Sequence, residues 1–265
     1  ADAAIWCATG FSDAEASIMT KIKRLLGIAL APQKSIDAIG LPALAEGLNK
    51  MVSQGDGSPK DPKIVMCSSA GITRTVWDEN KKKELEAAAD IPIVRLNPFG
   101  ILDIKRESEE TLRQKCVELD VPYCIVRPTG LNDKWPAGSR PIFSQGDVAV
   151  GRINREDVAT VLVDSLTIPE AQGKTFEVFA LSGYPPAVDM GKALSRLKPD
   201  ADGALSEAEV RATFYAMQQL LPGEQQDSAA LAMGQTYEQL DEGETGRLGE
   251  RGQEKAEEVA PKPSS

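Results

Sequence analysis

The sequence predicts an α/β fold: a parallel sheet with helices on both faces, followed by a mainly helical C-terminal extension. Three observations predict it. Short continuous apolar runs, such as Ile64-Val65-Met66-Cys67 and Tyr123-Cys124-Ile125-Val126, are of the kind a parallel sheet buries on both faces. Between them lie segments whose apolar residues recur at helical spacing. The runs end in Gly, Pro, Ser or Thr, and strands alternating with helices at this rate imply parallel pairing.

Taken in order, Ala3 to Ala8 reads as a strand ending in the Thr9-Gly10 turn, and Ser12 to Leu30 as a helical excursion. From Ser35, apolar residues at Ile36, Ile39, Leu44, Leu48 and Met51 predict a helix, with Pro42 kinking it or resetting its start. Gln54 to Pro62 is a Gly/Pro/Asp loop. The strand Ile64–Cys67 ends at Ser68-Ser69-Ala70-Gly71. Lys81 to Ala89 predicts a charged helix, and Ile91 to Leu96 a short apolar segment before the Asn97-Pro98-Phe99-Gly100 turn. Ile104 to Leu119 predicts an amphipathic helix, and Tyr123 to Val126 a strand stopped by Arg127-Pro128. Val148 to Ile153 is expected to be a strand, Arg155 to Leu166 a helix and Lys174 to Leu181 a strand. The expected division is a domain over 1–188, a helical extension over 189–242 and an acidic, extended tail over 243–265.

The chain has 265 residues, 42% of them apolar, enough for a packed core. No run approaches the length of a membrane span. Net charge is −10 and uneven: residues 189–265 hold 15 acidic and 8 basic residues, a net −7. An acidic surface repels phosphate backbones, so nucleic acid is not an expected partner. Histidine is absent, which excludes Ser-His-Asp and Cys-His nucleophilic sites. Cys7, Cys67, Cys116 and Cys124 lack metal-site spacing; they read as buried reduced thiols in a reducing compartment. The chain opens on the approach to a strand, without an apolar signal core or Arg-rich transit peptide. Targeting and N-terminal structural units are therefore expected upstream.

Ligands of open parallel sheets sit beyond the carboxyl ends of the strands. Three such ends here are small or polar: Thr9-Gly10, Ser68-Ser69 and Pro128-Thr129-Gly130. The stretch Val121-Pro122-Tyr123-Cys124-Ile125-Val126-Arg127-Pro128-Thr129-Gly130-Leu131 resembles a strand and turn of the atypical short-chain dehydrogenase/reductase superfamily, those flanking the nicotinamide end of the cofactor. Gly151-Arg152-Ile153-Asn154-Arg155-Glu156-Asp157-Val158-Ala159 is similar to the turn and helix that follow. Cys7-Ala8-Thr9-Gly10 is similar to the strand end on the adenosine side. The resemblance spans residues 1–188. It implies a Rossmann-like fold, NADP or NAD as cofactor, and cofactor contacts from Ala8, Thr9, Gly10, Ser68, Ser69, Lys105, Pro128, Thr129 and Gly130.

Two departures qualify what the resemblance implies. No glycine-rich phosphate turn occurs; Gly55-Asp56-Gly57 lies in a loop before a strand, the wrong context. The superfamily's catalytic pair is a Tyr four residues before a Lys, the Lys lowering the phenol's pKa for proton transfer. Lys105 matches the lysine, but the tyrosine position holds Ile101, which has no proton to give. Lys105 is thus a vestigial catalytic candidate, open to holding a ribose hydroxyl or to being a solvated helix-face lysine. Ser68 or Ser69 matches the serine position. Tyr123 reads as a core or interface residue, and Arg127 as an ion-pair partner or a phosphate anchor.

Leu96-Asn97-Pro98-Phe99-Gly100 to Lys105 resembles plastid members of the superfamily, among them members in photosystem biogenesis and at the envelope import machinery. This implies a chloroplast location, in the stroma or on the stromal face of the thylakoid, as an assembly, structural or redox-sensing subunit of a protein complex. The alternative is an NADPH-dependent atypical short-chain reductase. In the extension, Asp200, Asp202, Gly203 and Glu209 fit positions 3, 5, 6 and 12 of a calcium-binding EF-hand loop. Lys198 puts a cation at position 1, so calcium is not expected. The competing reading is a capping box, Ser206-x-x-Glu209, opening a helix to Leu221. A second degenerate loop falls at Asp241 to Gly252.

Overall fold

The computed structural model of the chain describes residues 3–8, 36–52, 64–97, 100–183 and 189–220. Its strands are β1 (Ala4–Trp6), β2 (Ile64–Cys67), β3 (Tyr123–Pro128), β4 (Gly130–Leu131), β5 (Arg140–Ser144), β6 (Arg152–Ile153) and β7 (Lys174–Leu181). Its α-helices are α1 (Ile36–Val52), α2 (Glu79–Glu84), α3 (Glu86–Ala89), α4 (Pro92–Leu96), α5 (Ile101–Leu119), α6 (Arg155–Asp164), α7 (Met190–Leu194) and α8 (Glu207–Leu220). The main sheet has the order β1-β2-β3-β7-β5. β1, β2, β3 and β7 pair in parallel, and β5 closes the edge antiparallel to β7. β4 and β6 form a small parallel pair of their own.

Strand residues alternate between two cores, as the pleat demands. Ile64 and Met66 of β2 with Tyr123 and Ile125 of β3 pack under α1 and α5, against Leu41, Ala45, Leu48, Leu112 and Cys116. Val65, Cys124, Val126, Phe176, Val178 and Ala180 face the other way, onto Val158, Val161 and Leu162 of α6. The expected sheet with helices on both faces is therefore present. α1 runs through Pro42 without ending there.

Several expected elements take another form. The short apolar segment, for which the sequence predicts no element type, is a helix from Pro92 to Leu96, α4, because Pro92 at its first position is preset for helical φ. The charged helix expected over 81–89 is two short ones, α2 and α3. They break at Leu85, whose side chain is buried and whose backbone leaves the helical region. β3 runs through Arg127 to Pro128, since proline loses a donor but keeps its acceptor: Pro128 O accepts from Ala70 N at 2.9 Å. β5 was not anticipated, and it makes the sheet mixed. Of 148–153, only Arg152–Ile153 is a strand.

The rest of that last segment is held by buried charge instead of a ladder. Glu177 on β7 accepts from the backbone N–H groups of Asp147, Val148 and Ala149 at 2.9, 3.2 and 3.3 Å. Arg74, fully buried, donates to the carbonyls of Asp147, Ala88 and Ala149 at 2.7–2.8 Å. Asp147 sits at φ 57, a left-handed conformation that Asp tolerates. Its carboxylate accepts from Gly71 N, Thr73 N and Thr73 Oγ1. Gly151 then crosses β7 so closely that a Cβ there would lie 2.8 Å from Cβ of Phe179.

The C-terminal extension packs onto the sheet domain. Val210 and Phe214 of α8 join Trp77, Leu85, Ala88, Val148 and Val150, and Met217 joins Ala149, Phe179 and Leu181. Its start is the capping box: the Glu209 carboxylate accepts from Ser206 N and Ser206 Oγ, both at 2.7 Å. The expected helical excursion over Ser12 to Leu30, the loop with Gly55-Asp56-Gly57, the echo at Asp241 to Gly252 and the tail 243–265 lie outside the described residues.

Candidate functional site

The carboxyl ends of β1, β2 and β3 stand in a row, so Cys7-Ala8, Cys67-Ser68-Ser69 and Pro128-Thr129-Gly130 come together along one edge of the sheet. Backbone pairing carries this row past the strands. Ser68 N donates to Val126 O at 2.7 Å, Thr129 N to Val178 O at 3.0 Å and Gly130 N to Gly151 O at 3.0 Å. Thr9 and Gly10 lie outside the described residues; Ala8 is exposed.

α5 supplies the lysine. Its start is set by Asn97, at φ 32, whose Oδ1 accepts from Leu102 N at 2.9 Å. From there Ile101 and Lys105, one turn apart, fall on the same face. Ile101 packs with Ile72, Val94 and Leu102. It fills the tyrosine position with an apolar contact. Lys105 is half-buried, and its Nζ lies 3.5 Å from Cys67 O at the end of β2. The structure thus brings Lys105 to the end of β2 that Ser68 and Ser69 follow, with no phenol beside it among the described residues.

One buried hydroxyl in this row, Thr129 Oγ1, has no partner, whereas Ser68 lies against the buried Glu109 carboxylate and helps hold it below its ordinary value. A buried hydroxyl without a partner costs free energy that a polar ligand would recover. Thr129 and the Lys105 ammonium are the groups of this row that could hold hydroxyls of a dinucleotide. Ser69 is engaged, donating to Ala70 O at 3.0 Å. Cys67 borders the same row. Burial first, and Cys7 second, push its thiol up to about 11, against the opposing pull of Lys105.

Arg127 and Tyr123 are committed elsewhere. Arg127 makes a two-pronged pair with Glu109, Nε to Oε1 at 2.9 Å and Nη2 to Oε2 at 2.7 Å. Burial would raise the Glu109 carboxyl, but Arg127 and then Arg113 outweigh it and hold it below its ordinary value. Glu177 goes the other way: burial, then the Asp147 charge, raise it despite Arg127 and Arg74. Tyr123 donates to Asp200 Oδ2 at 3.0 Å, and its phenol is raised by burial and by that carboxylate. It is no proton donor to the row.

Of the EF-hand candidates, Asp200 and Glu209 are likewise engaged. Asp200 accepts from Thr175 N, Thr175 Oγ1 and Arg113 as well as Tyr123. Glu209 caps α8, and Asp202 lies in a single 3-10 turn, Asp200–Asp202. Among the described residues, no group of three or more His, Cys, Asp or Glu could hold a metal ion. A groove of about 760 Å³ lies away from the strand ends, between α6 and α7, lined in part by Asp157, Asp164, Glu170 and Asp189. No helix among the described residues is long and apolar enough to cross a membrane.

Sequence reasoning missed Arg74, Glu109, Asp147 and Glu177. Their only local signal was charge inside or beside apolar runs. Glu109 alone was near a residue singled out.

Residues 60–169 match the family described as NAD(P)H-binding. Among solved structures, the chain is similar to a protein from Bacillus halodurans described as an NAD-dependent epimerase/dehydratase. The two are 21% identical, with 74% of this chain and 70% of that one covered and a TM-score of 0.44. It is also similar to the oxidoreductase ylbE from Lactococcus lactis, at 14% identity, 78% and 70% coverage and a TM-score of 0.42. A short-chain dehydrogenase/reductase from Veillonella parvula in complex with NADP is 16% identical, with 56% and 63% covered and a TM-score of 0.36. No curated protein matches.

Proposed function

We propose, on the premise that residues 60–169 are an NAD(P)H-binding domain, that the chain binds NAD(P)(H) without completing reductase chemistry and serves as a structural, assembly or redox-sensing component of a larger complex. The observation that carries the second half is Ile101. Its side chain is packed into the cluster of Ile72, Val94 and Leu102, one turn before Lys105. The lysine is in place to hold a ribose hydroxyl, and no described side chain beside it can pass a proton as a phenol would.

Calorimetry on the full-length protein tests the cofactor. Saturable binding of NADPH or NADH is expected, and silence at millimolar nucleotide rejects it. Lys105→Ala is expected to weaken binding about tenfold or more, since a hydrogen bond from a charged donor contributes ~1.5–3 kcal/mol. Steady NADPH consumption that vanishes in Lys105→Ala would instead establish a reductase with another proton donor.

The resemblance of residues 96–105 to plastid members supports a chloroplast location, in the stroma or at the stromal face of the thylakoid, with a photosynthetic membrane complex as partner. Migration with a large complex on a native gel of chloroplast membranes is the expected result. Purely monomeric behaviour in a gentle lysate rejects this reading.

A further inference from the structure

Cys7 and Cys67 are neighbours across β1 and β2. The parallel register pairs Ala4 with Ile64, Ile5 with Val65 and Trp6 with Met66, so the next step along both strands sets Cys7 opposite Cys67. Residues opposed on adjacent strands lie about 4.8 Å apart. A disulfide spans Cα separations of about 4.4–6.8 Å. Cys7 also lies close enough to Cys67 to raise its thiol. Exposure separates this pair from the other two cysteines: Cys7 is exposed and Cys67 half-buried, whereas Cys116 and Cys124 are buried. The reading of all four as buried thiols thus fails for Cys7.

We propose that Cys7 and Cys67 form a thiol-oxidation site that closes to an intramolecular disulfide at the carboxyl ends of β1 and β2. The oxidant is a small-molecule disulfide. The Cys7 thiolate attacks one of its sulfurs, forming a mixed disulfide and releasing one thiol. Cys67 then gives up its proton, and its sulfur attacks Cys7 Sγ and displaces the second thiol. Two S–H bonds are lost, one Sγ–Sγ bond forms, and the oxidant is reduced to two thiols. Cys7 attacks first because the oxidant can reach it. Lys105, whose ammonium stands at Cys67 O, offsets part of the burial that disfavours the Cys67 thiolate in the second step.

The pair borders the row of Ser68, Thr129 and Lys105, so a dinucleotide held there covers it. This part rests on the proposed cofactor reading. It makes the bound nucleotide a shield for the site.

The test is a titration of the reduced full chain with oxidised glutathione, followed by thiol counting in denaturant and peptide mapping. The free-thiol count is expected to fall from four to two, with a linked peptide containing Cys7 and Cys67. Cys7→Ser and Cys67→Ser are each expected to abolish the internal bond, with a glutathione adduct left on Cys7 in Cys67→Ser. Four free thiols after oxidation, or a bond that survives Cys7→Ser, overturns the proposal. NADPH present during the titration is expected to slow closure at least several-fold. Closure at an unchanged rate in a protein that calorimetry shows to bind no nucleotide removes the cofactor reading and leaves the disulfide standing. Nucleotide binding without any closure removes only the disulfide.

Discussion

Glu109 is fully buried on α5 and carries two arginines, Arg127 from β3 and Arg113 one turn along its own helix. Removing one member of a buried ion pair leaves the other charge without compensation. Glu109→Gln is therefore expected to destabilise the fold by about 3–5 kcal/mol, read from urea unfolding at neutral pH. The pH dependence has a definite sign. A carboxyl held below its unfolded value stabilises the fold above that value, and the contribution is lost as pH falls through the folded one. Wild-type stability is expected to drop on acidification below the ordinary carboxylate range, and Glu109→Gln to flatten that limb. Glu177, whose folded value is raised, acts in the opposite sense: its contribution is present in acid and is lost as pH rises through its folded value. A steeper acid limb in Glu109→Gln than in wild type would refute the assignment. Of this, only the pairing role of Arg127 was legible in the sequence. Arg127 could be read as an ion-pair partner, but its mate lies 18 positions away on a different element, and only folding decides which acid it meets.

At the scale of elements, legibility followed the range of the forces. Lys174–Leu181 reads as a strand from its own apolar run, and the structure has it with those limits. The Ser206–Glu209 capping box is complete within four residues, so it too was readable. The stretch 148–151 was not, because the N–H groups of Val148 and Ala149 are taken by Glu177 and the carbonyl of Ala149 by Arg74, both remote in sequence. A ladder was expected where a carboxylate does the work. The close approach there yields a prediction: Gly151→Ala puts a methyl group within 3 Å of the fully buried Phe179 side chain. Overpacking of this kind costs about 1–3 kcal/mol, visible as a lower denaturant midpoint with unchanged slope. Unchanged stability would mean that Phe179 yields freely. Ile101 belongs to this scale as well. That it is not a tyrosine was plain from the sequence. That its side chain packs against Ile72, Val94 and Leu102 was settled by where α4 packs.

For the whole molecule, the question is whether the helical extension is a separate body. Val210, Phe214 and Met217 place one stripe of α8 on the buried segment 148–150 and on β7. The extension and the sheet domain thus share a core. Calorimetry is expected to show one unfolding transition, and Phe214→Ala to lower it as a whole, by about 3–5 kcal/mol. A mutant that melts α8 alone, with the main transition unmoved, would show an independent unit. The alternation of apolar runs and helical stretches, the absence of histidine and the isoleucine at position 101 were determined by the sequence alone, because each depends on residues close together in the chain or on composition. Only the tertiary structure decided the antiparallel edge β5, the buried chain of Arg74, Asp147, Glu177, Arg127 and Glu109, and the meeting of Cys7 with Cys67 beside Lys105. Those contacts join segments tens of residues apart, and their partners are chosen by strand order and packing, which no local pattern encodes.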